Sequence, residues 1–487
     1  MRVSEFYELN RTQAELDFVD VDIENDVRLY IDPKAIEQLN SPWADSCVSS
    51  IQSFFQRLID AIVARDNELA LTMLSALREP NETHLGLSRG RSRGSGVGDE
   101  LARDVWESLS RSEAVRTGLI RDLEDTALLV PKIDKDRISD VTTNLIRKQL
   151  IEYTQWTSDF YGIPLKDDIA SGPIWDTSRA EWKEEYVRLP SPADAKLLLV
   201  PKILVRRQLH MNAREFYRHH VLDFLVSTEG AARSLAQLAS GRRRTKKAIE
   251  EQLRGQFDAG RHNPGFEKRV NTHVSEHNPE LLNSYRQFKE ENPADLLNGD
   301  DLADATGGPY VNLEELLAKV LAVMPGDAEA DLYEKRIEAL LTAAFDQNLV
   351  FPRRQHKIHA GRKRIDISYT NLAKHGFFYW LGIHYPAANV VVECKNYTRP
   401  LGNPELDQIS GRFSNSRGRF GLLVYRGYTD KAKIWQSCLD TANDGNGFVL
   451  PLDDADLKKL VDERLQPPSD EAFGYLHELF SRLTGNR

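Results

Sequence analysis

The spacing of apolar and polar positions divides the chain into stretches of different texture. Near the start, Leu16-Asp17-Phe18-Val19-Asp20-Val21-Asp22 alternates with period two. A polar Glu24-Asn25-Asp26 follows, and the alternation resumes through Val27-Arg28-Leu29-Tyr30-Ile31-Asp32. Alternation around a polar turn predicts a β-hairpin. From about 43 to 80 the apolar residues recur at three- and four-residue intervals, the spacing of a helix. The Gly- and Arg-rich stretch 86–98 reads as an exposed basic loop ahead of a helix at Asp99. It lacks the Gly-Lys-Ser/Thr ending of a nucleotide-binding loop. Residues 112–162 and 212–290 read as helical, and Asp140 or Thr142 is expected to cap a helix that follows the polar run from Asp134 to Asn144. Leu197 to Val200 and Ile203 to Val205 read as short strands. From Asn292-Pro293 to Gly307-Gly308-Pro309, acidic and turn-forming residues predict a linker.

Beyond that linker the pattern runs helix, three strands, helix, strand, helix, strand. The helices are Asp327 to Asp346, Glu405 to Ser414 and Asp430 to Ala442. The strands lie around Ile358, then Arg364 to Tyr369, Asn389 to Asn396, Phe420 to Tyr425 and, shorter, Gly447 to Leu452. Val390-Val391-Val392 is the run of a strand buried on both faces. This order predicts an α/β C-terminal domain, a mixed sheet flanked by helices, preceded by a mostly helical α+β N-terminal region. The expected divisions are 1–210, 211–308, 309–465 and a terminal helix over 466–487.

Composition changes little in this picture. At 487 residues the chain exceeds one ordinary core. Its apolar and charged fractions are those of a soluble globular protein. The chain has no apolar run of about 18 residues, so no membrane span is expected, and its first residues do not read as a signal peptide. Cys47, Cys394 and Cys438 have no paired spacing, which points to a reducing cytoplasm rather than a disulfide framework. Charge is more informative. The net charge is −10, yet from Arg353 to Lys433 about fifteen Lys/Arg stand against five Asp/Glu. A basic island in an acidic chain is a candidate footprint for a polyanion.

That island holds the residues with chemistry. In Val391-Val392-Glu393-Cys394-Lys395 the strand alternation puts Glu393 and Lys395 on one face. In Arg364-Ile365-Asp366-Ile367 the isoleucines bury one face and Asp366 projects from the other. If the two strands are neighbours, Asp366 and Glu393 can share a metal ion, with the Cys394 backbone carbonyl as a further ligand and Lys395 beside it. The triplet acidic-x-Lys alone is weak, since it recurs at Glu181, Asp194 and Asp456. Only at Glu393 does it follow a buried-strand run with an isolated strand Asp upstream. A buried ion pair holding two strands together is the bland alternative.

The arrangement Asp366 … Glu393-Cys394-Lys395-Asn396-Tyr397 resembles the PD-(D/E)xK, restriction endonuclease-like nucleases, and the wording is most similar to their Mrr-like branch. The resemblance covers about residues 325–455. It implies a four-stranded mixed sheet flanked by helices, Mg²⁺ as cofactor with Mn²⁺ able to replace it, and DNA as substrate. It also implies a carboxylate on the preceding helix, where Tyr333-Glu334-Lys335-Arg336-Ile337-Glu338 places Glu334, with Glu338 one turn later as the alternative. Gln408, on the helix beside the catalytic strand, is the expected ordering glutamine. Arg353, Arg354, Lys357, Arg362, Lys363 and Arg364 precede Asp366, and Arg412, Arg417 and Arg419 follow Gln408. These are the candidate phosphate contacts. Phe377, Phe378, Tyr379 and Trp380 are expected to pack rather than stack bases. Among His356, His359, His375 and His384, His356 and His359 would point to opposite faces of a strand, and none of the four is expected to bind metal.

The expected function is a Mg²⁺-dependent endodeoxyribonuclease of restriction or anti-phage defence, its N-terminal region sensing or gating. A homo-oligomer and an operon-encoded partner protein are expected, and no membrane. The alternatives are an RNA or DNA-repair nuclease, or a catalytically retired nucleic-acid-binding module.

Overall fold

The computed structural model describes residues 1–39, 41–86, 97–235, 245–258, 265–358, 363–426, 430–466 and 473–485. The chain forms two compact units. The first comprises Met1–Phe6 and Val21–Leu296, and the second comprises Tyr7–Asp20 and Leu297–Arg487.

The first unit is mostly helical. Its longest helix, Pro42–Val63, starts at Ser41, whose side chain accepts from the Ala44 amide. It stops at Arg65, which takes a left-handed φ of 59°, and Asp66 caps the next helix, Asn67–Leu74. The stretch 43–80 is therefore two helices and a loop. The helix Lys135–Leu145 is capped by Asp134, not by Asp140 or Thr142, which lie inside it. Of the two strands expected near Pro201, only Val205–Arg206 forms, pairing antiparallel with Tyr30–Ile31. Two further antiparallel pairs join Lys166–Ala170 to Tyr186–Leu189 and Ile174–Asp176 to Glu181–Lys183. The basic loop 87–96 lies outside the described residues.

The hairpin expected from residue 16 to 32 does not form. Leu16, Phe18, Val19 and Val21 are buried, but so are Asp17 and Asp20. The alternation is between apolar and buried acidic residues, not between a core face and a wet one. Asp17 accepts the Phe351 amide at 2.9 Å, within the second unit.

The second unit is built on a five-stranded mixed sheet. Its strands are β1 (Leu349–Ile358), β2 (Lys363–Asn371), β3 (Asn389–Lys395), β4 (Phe420–Tyr425) and β5 (Phe448–Leu452), in the order β5-β4-β3-β2-β1. β1, β2 and β3 pair antiparallel, while β3, β4 and β5 pair parallel. The count of four is thus corrected to five. The short apolar run Phe448–Leu452 joins the sheet in full parallel register with β4, and every residue of β4 is buried. Among the helices that flank this sheet are α1 (Ala330–Ala344), α2 (Gly376–His384), α3 (Asn403–Ser410) and α4 (Lys431–Asn443). Tyr333, Ile337, Leu340 and Leu341 of α1 share one core with Ile365, Ile367 and Tyr369 of β2, and Ala14 joins it. Phe377 and Phe378 of α2 are buried in that core, while Tyr379 is exposed.

Candidate active site

The regular pairing of β2 with β3 runs from Thr370↔Asn389 to Ile367↔Val392. The next positions along each strand are Asp366 and Glu393. There the Cys394 N–H donates to Asp366 Oδ2 at 3.0 Å, so a side chain takes the place of a ladder carbonyl. Continuing the alternation puts Asp366 and Glu393 on one face, with Lys395 two residues on. On its other edge β3 stays paired with β4, Glu393 opposite Leu423 and Lys395 opposite Tyr425. One edge of β3 is rigidly held while the other opens onto a carboxylate.

Glu393, Lys395 and Gln408 form a closed triangle. Lys395 Nζ donates to Glu393 Oε1 at 2.8 Å and to Gln408 Oε1 at 3.2 Å. Gln408 Nε2 donates to Glu393 Oε1 at 2.5 Å. Glu393 is fully buried, and its second oxygen, Oε2, has no hydrogen-bond partner. Burial, and after it the charge of Asp366, pushes the Glu393 carboxyl up to about 7, against the pull of Lys395. Burial alone would lower Lys395, but the Glu393 charge and hydrogen bond outweigh it and hold the ammonium above its ordinary value.

Gln408 reaches this triangle because α3 lies close to the sheet. Gly421 in β4 allows that approach, since a Cβ there would stand 2.9 Å from Ile409 Cδ1 and 2.9 Å from the Val391 carbonyl.

The two helix carboxylates differ in their surroundings. Glu338 is fully buried and is gripped by Arg11, at 3.1 Å and 2.5 Å to its two oxygens, and by Thr342 at 3.0 Å. Glu334 accepts from Gln355 Nε2 and, at 3.3 Å, from Arg354 Nε. Burial raises the Glu334 carboxyl first, and the nearby Asp366 charge raises it further. The Cys394 thiol, raised mainly by burial, also feels Asp366, Glu334 and Glu393. Glu334 therefore belongs to the electrostatic neighbourhood of Asp366, and Glu338 to a structural ion pair.

The donor set suits a hard divalent cation. Asp366 and Glu393 offer only oxygen, and a buried carboxylate oxygen without a donor is stabilised by a cation. Among the described residues, Asp366, Glu393 and Glu334 do not gather as a set with ligand atoms all within 4.8 Å. Asp366 and Glu393 would hold such an ion, and Glu334 acts on Asp366 through its charge.

The basic candidates separate by environment. Arg354 is committed to Glu334 and, at 3.2 Å, to Asp331. Arg412 is buried, its Nε without a partner, and its charge acts on Glu393. Arg417 donates to the Arg412 carbonyl at 3.1 Å. Arg353, Arg364 and Arg419 are exposed. Arg362 and His359, and the side chains of His356, Lys357 and Lys363, lie outside the described residues.

Three further side chains around the site are given no role by the sequence pattern. Gln355, at a left-handed φ of 52° on β1, turns its amide to Glu334. Asn396 donates to the carbonyls of Met324 and Gly326, each at 2.9 Å, and anchors the loop before α1. Arg399 lies 4.1 Å from the Tyr397 ring centre and pairs with Glu405. Only Asn396, adjoining the Glu-Cys-Lys run, carries a local signal.

A family model for a domain of unknown function, DUF8370, matches residues 8–212. That is under half of the chain and ends before the sheet. No curated protein and no solved structure matches the chain.

Proposed function

We propose that the second unit is a Mg²⁺-dependent endodeoxyribonuclease. The observation that carries this reading is the orphaned, buried Oε2 of Glu393 beside Asp366, with Lys395 Nζ 2.8 Å from the other Glu393 oxygen. Leaving an oxygen of a fully buried carboxylate without a donor is costly, and a bound cation offsets that cost.

Asp366 and Glu393 would hold the ion. When bound, Mg²⁺ supplies charge stabilisation at the phosphate and lowers the pKa of water. Lys395 stays protonated, so it acts as a donor that orients the attacking water and screens charge developing on the phosphate. Gln408 bonds both Lys395 and Glu393 Oε1 and leaves Oε2 as the carboxylate oxygen without a donor. Exposed Arg353, Arg364 and Arg419 suit sequence-independent contact with the DNA backbone. The first unit would then serve as sensor or gate in restriction or anti-phage defence, a reading that rests on the resemblance alone.

Plasmid cleavage tests the proposal. Supercoiled DNA should be nicked or linearised by the full chain in Mg²⁺ or Mn²⁺, and Asp366→Ala and Lys395→Ala should each lose on the order of a hundredfold or more. Equal cutting by all three proteins would reject this site. Cleavage of RNA but not DNA would move the substrate class.

A further inference from the structure

A different set of ligand-type side chains stands in the first unit. The helix Phe266–His277 ends in His273-Val274-Ser275-Glu276-His277. Spacing of three and four residues brings His273, Glu276 and His277 to one face, and Val270 and Val274 of the same helix are buried. One ligand atom from each lies within 4.8 Å of the other two, and the imidazole centres are 5.1 Å apart.

The His277 imidazole is held in the manner that frees a nitrogen for a metal. His277 Nδ1 contacts the His273 carbonyl at 2.9 Å. A carbonyl only accepts, so Nδ1 carries the hydrogen, and in the neutral ring the lone pair is left on Nε2. The His273 ring packs against Phe257 at 5.1 Å. A backbone carbonyl on the second ring nitrogen is the common support of a ligating histidine. Glu276 Oε1 is itself buried with no hydrogen-bond partner.

We propose that His273, Glu276 and His277 bind a divalent transition ion of the zinc class. Two imidazole nitrogens and one carboxylate oxygen favour Zn²⁺ over the hard Mg²⁺ suited to Asp366 and Glu393. With three ligands from one helix, the ion keeps an open position for water or for a group supplied from outside. The order His-x-x-Glu-His is also used by a class of zinc hydrolases. Here, among the described residues, no carboxylate from another element joins the three, so the inference is a binding site rather than a hydrolytic centre.

The test uses the full chain, stripped with chelator and titrated with Zn²⁺ in excess Mg²⁺, so that oxygen-only sites are already filled. Calorimetry should show about one equivalent bound, and Co²⁺ in place of Zn²⁺ should give a visible absorption band. His273→Ala and His277→Ala should each weaken binding about tenfold or more, while Asp366→Ala should leave it unchanged. His277 is exposed, so His277→Ala should keep the wild-type far-ultraviolet spectrum. Wild-type affinity in the correctly folded His277→Ala protein, or no Zn²⁺ uptake by wild type, would overturn the proposal.

Discussion

Arg11 closes on Glu338 through both carboxylate oxygens, a buried ion pair between residues 327 positions apart in the chain. The pair fixes the segment Tyr7–Asp20 to α1. Arg11 is mostly covered and Glu338 fully so. Removing one partner of such a pair strands a charge in low dielectric. Arg11→Ala should therefore destabilise the second unit by about 3 kcal/mol, read as a lower denaturant midpoint. Adding Glu338→Leu should recover part of the loss. An unchanged midpoint in Arg11→Ala would mean the pair is bypassed by water.

Glu334 and Glu338 should separate by assay. Glu334→Gln alters the charge beside Asp366 and should lower cleavage while the protein melts near wild type. Glu338→Gln leaves Arg11 without its anion and should lower the melting temperature more than it lowers the rate per folded molecule. The reverse pattern would make Glu338 the functional helix carboxylate.

Gly421 offers a test that touches no charged group. A methyl at this position meets Ile409 on α3 and the Val391 carbonyl, so Gly421→Ala should push α3 outward and draw Gln408 away from Lys395. Cleavage should fall about tenfold or more, the scale of a small displacement at a catalytic group, with Gln408→Ala giving a similar loss. Full activity in Gly421→Ala would show that the helix approach is not what sets the triangle.

The first unit should show its own pH dependence. Burial, and next the charge of Asp125, raises Asp122 from an ordinary 3.8 to about 6. A folded pKa above the unfolded one contributes stability that is full below about 3.8 and lost as pH rises through about 6. Asp122→Asn keeps an oxygen to accept the Asp125 amide, at 3.1 Å in wild type, and removes the charge. The variant should melt higher than wild type at pH 7, by on the order of 1 kcal/mol, and the two should converge near pH 4. A variant less stable than wild type at pH 7 would contradict the assigned cause.

Much of the second unit is legible in the sequence because its signals are local. Val390-Val391-Val392 marks a strand covered on both faces, and alternation alone places Glu393 with Lys395. Gln408 joins them because a short helix after a parallel strand packs back beside it. The N-terminal segment misleads because a buried aspartate looks, in sequence, like an exposed one. Asp17 is held by the Phe351 amide, a partner no window of sequence contains. Gln355 is invisible for a related reason, since its role depends on a left-handed turn within a strand. The different surroundings of Glu334 and Glu338 also lie outside the local pattern, because Glu338 is paired by Arg11.

The course of Tyr7–Asp20 also sets a timetable. A ribosome makes this segment more than three hundred residues before the sheet it belongs with, which begins at Leu349. At about 5–20 residues per second, the two are separated by on the order of tens of seconds. Throughout that interval Arg11 exists and Glu338 does not, so a half-made or prematurely stopped chain lacks the completed sheet around Asp366 and Glu393. Biosynthesis itself thus withholds the second unit until the strands of its sheet have been made. A contiguous fragment cut from the C-terminal side would carry Glu338 without its counterion. To express or transplant that unit, Tyr7–Asp20 must travel together with Leu297–Arg487.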